Sequence, residues 1–161
     1  SLNNTLGGAF CIDGKLILGE NQKAGEFGHI ILVPGGKQCY CGKRGCADVY
    51  CAASALTDDT SQTLEQFMQQ LEERKESAQQ VWQEYLAVLI SNLRMAYDMD
   101  IILGGEVGGY LSDYMIPLEE KVMKYNGFDH DARYLKICSY KREASAVGVA
   151  KYFLQEFIKD I

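Results

Sequence analysis

A chain of 161 residues with 47% hydrophobic and 24% charged side chains and only two prolines can close one layered core, which excludes a disordered or fibrous polypeptide. Its 22 acidic against 16 basic residues leave a formal charge of -6, and Lys43-Arg44 and Lys141-Arg142 are isolated basic pairs, so direct contact with nucleic acid is not expected. No apolar run is long enough to span a bilayer and no charged-then-apolar leader is visible, so the expectation is a cytoplasmic protein without membrane contact.

The sequence opens on Ser1 rather than methionine, inside a glycine-containing turn, and is read as an excised C-terminal fragment forming a single domain over residues 1–161. Phe10-Cys11-Ile12 and Leu16-Ile17-Leu18 flank Asp13-Gly14-Lys15, a pattern that predicts a tight hairpin with positive backbone angles at the turn. A second strand pair is expected at Ile30–Val33, ended by Pro34-Gly35-Gly36. Val49, Ala52, Ala53 and Leu56 then fall at helical spacing, the acidic segment Thr57-Asp58-Asp59-Thr60 interrupts, and Thr63 to Arg74 predicts a helix with Leu64, Phe67 and Leu71 on one face.

Ser77 and Gln80 suggest a capping box for a long amphipathic helix carrying Val81, Trp82, Tyr85, Leu86, Leu89, Leu93 and Tyr97 as a core stripe. Ile101-Ile102-Leu103 predicts a short buried strand running into Gly104-Gly105. Tyr110 to Met123 predicts a helix that Pro117 kinks or starts, Tyr134 to Cys138 a strand, and Ala144 to Ile158 a closing helix. This alternation predicts an α/β fold with right-handed crossovers and a largely parallel second half of the sheet.

Six cysteines suggest disulfides only in small secreted chains, whereas here three of them crowd into eight positions, a pattern that favours metal. His29, Cys39, Cys41 and Cys46 give four ligands within eighteen residues, enough for a closed tetrahedral zinc site with a structural role. Gly42 and Gly45 allow the loop between the thiols to turn tightly. Cys11, Cys51 and Cys138 read as ordinary buried thiols, and His130, between Asp129 and Asp131, as part of a solvated turn.

Gly25-Glu26-Phe27-Gly28-His29, followed by Cys39-Tyr40-Cys41-Gly42-Lys43-Arg44-Gly45-Cys46-Ala47-Asp48, closely resembles the signature of the ROK family (repressor, open reading frame, kinase). The resemblance extends through Ile102-Leu103-Gly104-Gly105 and Ala146-Val147-Gly148-Val149-Ala150 and so covers essentially the whole chain. It implies the C-terminal lobe of an actin-like, ribonuclease H-like fold, a mixed sheet flanked by helices with a zinc-binding loop. Sugar or sugar phosphate would bind in a cleft against a second lobe. It further implies that Glu26, His29 and Asp48 contact sugar hydroxyls, Asp48 standing where the family usually has glutamate, and that the protein is a homo-oligomer. Read alone, Glu26 is also compatible with a solvated loop acid.

Family kinases carry a glycine-rich phosphate turn where this chain has Asn3-Asn4-Thr5-Leu6-Gly7-Gly8, and three glycines where it has Gly104-Gly105-Glu106. Gly7, Gly8, Gly104 and Gly105 are therefore read as a degenerate nucleotide site, with the Glu106 carboxylate opposing phosphate. The resemblance places the catalytic aspartate in the other lobe, so no catalytic residue is assigned. These departures lead to the expectation of a sugar-sensing transcriptional regulator rather than an enzyme. An ATP-dependent ROK sugar kinase is the alternative, and a purely structural zinc module a third reading.

Overall fold

A computed structural model of the protein describes residues 1–57, 62–73, 77–140 and 143–159. Residues 58–60, Arg74 and Lys141-Arg142, and the side chains of Leu71, Ser77, Gln80 and Val81, on which sequence expectations fall, lie outside what is described.

The hairpin forms as its turn residues dictate: β1 (Phe10–Ile12) pairs antiparallel with β2 (Lys15–Ile17), and Asp13 and Gly14 both take positive φ, at 51° and 74°. No strand forms over residues 30–33. Leu32 and Val33 both donate their backbone N–H to the Gly45 carbonyl, and Ile31 meets Cys46 only in an isolated bridge, because this stretch is bent around the thiol loop. The helix expected near residue 50 is two single turns, α1 (Asp48–Cys51) and α2 (Ser54–Thr57). Extended backbone at Ala52 separates them, and Ala53 donates its N–H to Asn3.

Helix α3 (Leu64–Glu73) opens with a reciprocal cap: Gln66 N–H donates to Thr63 Oγ1 at 3.2 Å, and Thr63 N–H to Gln66 Oε1 at 3.0 Å. Helix α4 (Ser77–Tyr97) runs through the centre of the core, burying Trp82, Leu86, Leu89 and Ile90. β3 (Ile101–Leu103) follows, and then two 3₁₀ turns, Val107–Gly109 and Leu111–Tyr114, the second of which replaces the start of the helix expected from Tyr110. Pro117 lies in the first turn of α5 (Met115–Tyr125), where its missing N–H costs nothing, so it marks a start rather than a kink.

Helix α5 carries the chain across to β4 (Leu135–Ile137), which pairs parallel with β3 in the register Ile101↔Leu135 and Leu103↔Ile137. Leu86 and Ile90 of α4, with Leu118 and Val122 of α5, are almost wholly buried, each contributing roughly 1.5–3 kcal/mol. The closing helix α6 (Ala144–Lys159) forms as expected, with Phe153 and Phe157 exposed. The architecture is mixed α/β, and the described strands form two separate two-stranded sheets, the antiparallel β1–β2 hairpin and the parallel β3–β4 pair joined through α5, rather than the one mixed sheet expected. Among the described residues, no helix is long and apolar enough to cross a membrane.

Candidate functional site

A single 3₁₀ turn, Phe27–His29, sets the site, closed by His29 N–H on the Glu26 carbonyl at 3.1 Å. Glu26 precedes the turn and is exposed, and His29 ends it, partly buried. The turn is seated against the N-terminal segment by glycines that admit no side chain. A Cβ on Gly28 would lie 2.4 Å from the Leu6 carbonyl oxygen, and one on Gly25 2.7 Å from that of Gly8. Phe27 joins Phe10 and Tyr97 in an aromatic cluster, with ring centroids 5.6 and 6.0 Å away.

The thiol loop returns to this turn. Gly42 and Gly45 adopt φ of 88° and 86°, and a Cβ on Gly45 would fall 1.7 Å from the Val33 carbonyl oxygen. Cys39 and Gly42 are tied together across the loop tip, with Cys39 N–H on Lys43 O at 2.8 Å and Gly42 N–H on Cys39 O at 3.0 Å. At the base, the buried Tyr50 hydroxyl accepts Lys37 N–H at 2.8 Å.

These constraints bring His29, Cys39, Cys41 and Cys46 together, their ligating atoms all within 4.8 Å of one another. Cys41 Sγ lies 3.6 Å from Cys46 Sγ, and Cys39 Sγ 3.9 Å from His29 Nδ1. A tetrahedral zinc ion with bonds of about 2.3 Å to sulfur and about 2.0 Å to nitrogen would set the sulfur–sulfur separation at about 3.8 Å and the sulfur–nitrogen one at about 3.5 Å, each within a few tenths of an ångström of these values. The donor set fits such an ion in number, chemistry and spacing. Burial, then the neighbouring thiols, pushes the Cys46 thiol up to about 11, while the Lys43 backbone N–H holds the exposed Cys41 thiol below its ordinary range. A central dication would draw the proton from Cys46 as well.

Asp48 is 4% exposed and opens α1, with Oδ1 accepting Leu6 N–H at 2.6 Å. It is buried against the 3₁₀ turn, its Oδ1 3.4 Å from where a Cβ on Gly28 would lie, whereas Glu26 is exposed, and one of the two Asp48 carboxylate oxygens is already engaged. The four glycines of the expected nucleotide turns divide. A Cβ on Gly7 would meet nothing within 4 Å. One on Gly8 would strike the Phe27 ring at 2.2 Å, one on Gly104 would press on Cys138 at 3.1 Å, and one on Gly105 would reach Leu2 N at 2.7 Å. Asn3 ties the two turns together by accepting Glu106 N–H at 2.9 Å, and Leu2 N–H donates to Gly104 O at 2.7 Å. Gly8 and Gly105 thus have packing reasons of their own.

Of the remaining cysteines, Cys51 is fully buried, Cys138 is half-buried, and Cys11 is exposed on the hairpin, contrary to expectation. His130 is exposed in a turn where Arg94 pairs with Asp129 and Arg133 with Asp131. An apolar groove of about 360 Å³, lined by Leu6, Phe10, Phe27, Leu86, Ile90 and Tyr97, includes none of Glu26, His29, Asp48 or the clustered thiols. Sequence reasoning missed two partners of His29: the Tyr40 hydroxyl 3.3 Å from Nε2, and Lys43 Nζ donating to the His29 carbonyl at 2.9 Å. The position of Tyr40 between two expected ligands was the available signal.

The ROK family model matches residues 1–156. An N-acetylmannosamine kinase of Vibrio cholerae is 33% identical over 123 residues, covering 69% of this chain and 43% of the relative. One of the same name from Salmonella arizonae is 29% identical over 164 residues, covering 93% and 54%. The ROK hexokinase of Thermus thermophilus superposes with a TM-score of 0.81 at 25% identity, over 96% of this chain and 56% of that one. The chain therefore spans about half the length of the curated relatives it matches. These relatives carry kinase names, which overturns the expectation of a sugar-sensing transcriptional regulator. That expectation weighed two altered turns, a local change, above a likeness that runs along most of the chain.

Proposed function

We propose, from the premise that this chain belongs to the ROK family, that residues 1–161 form the sugar-binding lobe of an ATP-dependent sugar kinase acting on N-acetylmannosamine. The observation that carries this reading is the 33% identity to a kinase of that name across two thirds of the chain.

In this reading His29, Cys39, Cys41 and Cys46 hold one zinc ion, which supplies a structural clamp and no hydrolytic water because four protein ligands leave no open position. The chain's own groups do the recognition. Glu26, exposed at the head of the turn, accepts sugar hydroxyl hydrogens, and Asp48 adds an acceptor through the oxygen that Leu6 does not use. His29 joins the two sites, with Nδ1 on the thiol side and Nε2 on the outer side. Selectivity then arises because a sugar lacking a hydroxyl leaves one of these acceptors unpaired. The nucleotide lies along the turns at Gly7 and Gly104-Gly105, and the base that takes the sugar hydroxyl proton comes from outside residues 1–161.

The test is ADP formation by the whole protein with ATP, with and without N-acetylmannosamine. Turnover that requires the sugar is expected, and Glu26→Gln is expected to lower kcat/KM by about tenfold to a hundredfold. Sugar binding without any turnover would contradict the kinase reading.

A further inference from the structure

We propose that Tyr40 is a positioning residue for His29: its hydroxyl accepts the imidazole Nε2–H and thereby holds Nδ1 toward the three thiols as a metal ligand. The inference deepens the zinc-and-sugar reading above and rests on it for its purpose, but its geometry is independent of any metal.

His29 has two ring nitrogens in different surroundings. Nδ1 faces Cys39 Sγ at 3.9 Å, and Nε2 faces Tyr40 Oη at 3.3 Å. A nitrogen that ligates metal must be unprotonated, so the single proton of the neutral ring must sit on Nε2, and that N–H needs an acceptor. Tyr40 Oη is the acceptor in place. The rings also meet edge to face, with centroids 5.3 Å apart at 70°.

Burial does not explain this placement. Tyr40 is 70% exposed, so the core gains little from its ring. What fixes it is the backbone: Tyr40 lies between Cys39 and Cys41, and the loop closure through Lys43 O and Cys39 N–H turns it toward His29. The same loop grips the other end of His29, where Lys43 Nζ donates to the backbone carbonyl at 2.9 Å. One five-residue loop thus carries two thiol ligands and both restraints on the histidine ligand. Tyr40 also occupies the outer nitrogen, the one that a sugar hydroxyl would approach, so its hydroxyl must share or yield that position when substrate enters.

The test uses the ¹⁵N-labelled chain and Tyr40→Phe, which keeps the ring and removes only an exposed hydroxyl. Only two histidines are present, and exposed His130 serves as the internal reference. Hydrogen exchange at His29 Nε2–H is measured in metal-free protein and again with one equivalent of zinc, and zinc affinity by competition with a chromophoric chelator. We expect wild-type His29 to exchange more slowly than His130, and Tyr40→Phe to speed His29 exchange and weaken zinc binding, each by about tenfold or more. Exchange at His29 as fast as at His130 in the wild type, or exchange and affinity in the variant within about twofold of wild type, overturns the proposal. Wild-type protein that takes up no zinc would instead defeat the coordination reading, and the metal-free exchange comparison would still decide the role of Tyr40.

Discussion

Gly42 and Gly45 separate two effects of glycine that sequence alone merges. Both have φ near 90°, but Gly42 faces open space while Gly45 abuts the Val33 carbonyl. Gly42→Ala is therefore expected to cost only the backbone strain, about 1–2 kcal/mol, whereas Gly45→Ala must also displace residue 33 and should cost about 2–4 kcal/mol. Denaturant unfolding of the two variants checks the order, and equal losses would mean the close approach at Gly45 is absent. Asp48 makes a similar distinction possible. Asp48→Ala strands the buried Leu6 N–H and should cost about 1–3 kcal/mol, while Asp48→Asn keeps an acceptor and should fold normally yet bind sugar more weakly. The residue types at His29, Cys39, Cys41 and Cys46 were legible because four soft ligands at close spacing have few other uses. The inward turn of Asp48 was not, since its partner lies 42 residues away in sequence.

At the scale of elements, periodicity located α3, α4, α6 and β3 well, because each buries or presents one face along a continuous run. It failed over residues 30–33 and 47–57, where backbone hydrogen bonds go to distant segments instead of a regular ladder, as Leu32 N–H to Gly45 and Ala53 N–H to Asn3 show, and over 110–114, where a 3₁₀ turn replaces the start of the expected helix. The packing of α4 near the end of α5 depends on a polar cluster that hydrophobic pattern cannot reveal. Arg94 makes a two-pronged contact with Asp129 and stacks 4.5 Å from the Tyr134 ring, while Asn126 donates to Tyr134 Oη at 3.0 Å. Arg94 first, and Asn126 second, hold the Asp129 carboxyl down at about 2, against an ordinary value of 3.8. A depressed carboxyl stabilises the fold fully above its unfolded value and loses that contribution as pH falls through the folded one. Asp129→Asn is thus expected to melt below wild type at neutral pH, with the gap closing between about pH 4 and pH 2. A gap that persists at pH 2 would show that the pair is not the cause.

For the molecule as a whole, composition and alternation indicated an α/β chain, and the ROK signature indicated the family, because both are properties of many residues together. The choice between kinase and regulator was misread because it was drawn from two turns. In the structure those turns are shaped by contacts among Leu2, Asn3, Gly8, Phe27 and Gly105. In the proposed site recognition and folding meet at one histidine, where one imidazole and three thiolates share a zinc ion. X-ray absorption at the zinc edge of metal-replete protein tests this most directly. One zinc per chain with three sulfur neighbours at about 2.3 Å and one nitrogen at about 2.0 Å is expected; a first shell dominated by oxygen, or protein that stays metal-free in excess zinc, would contradict the shared-zinc site.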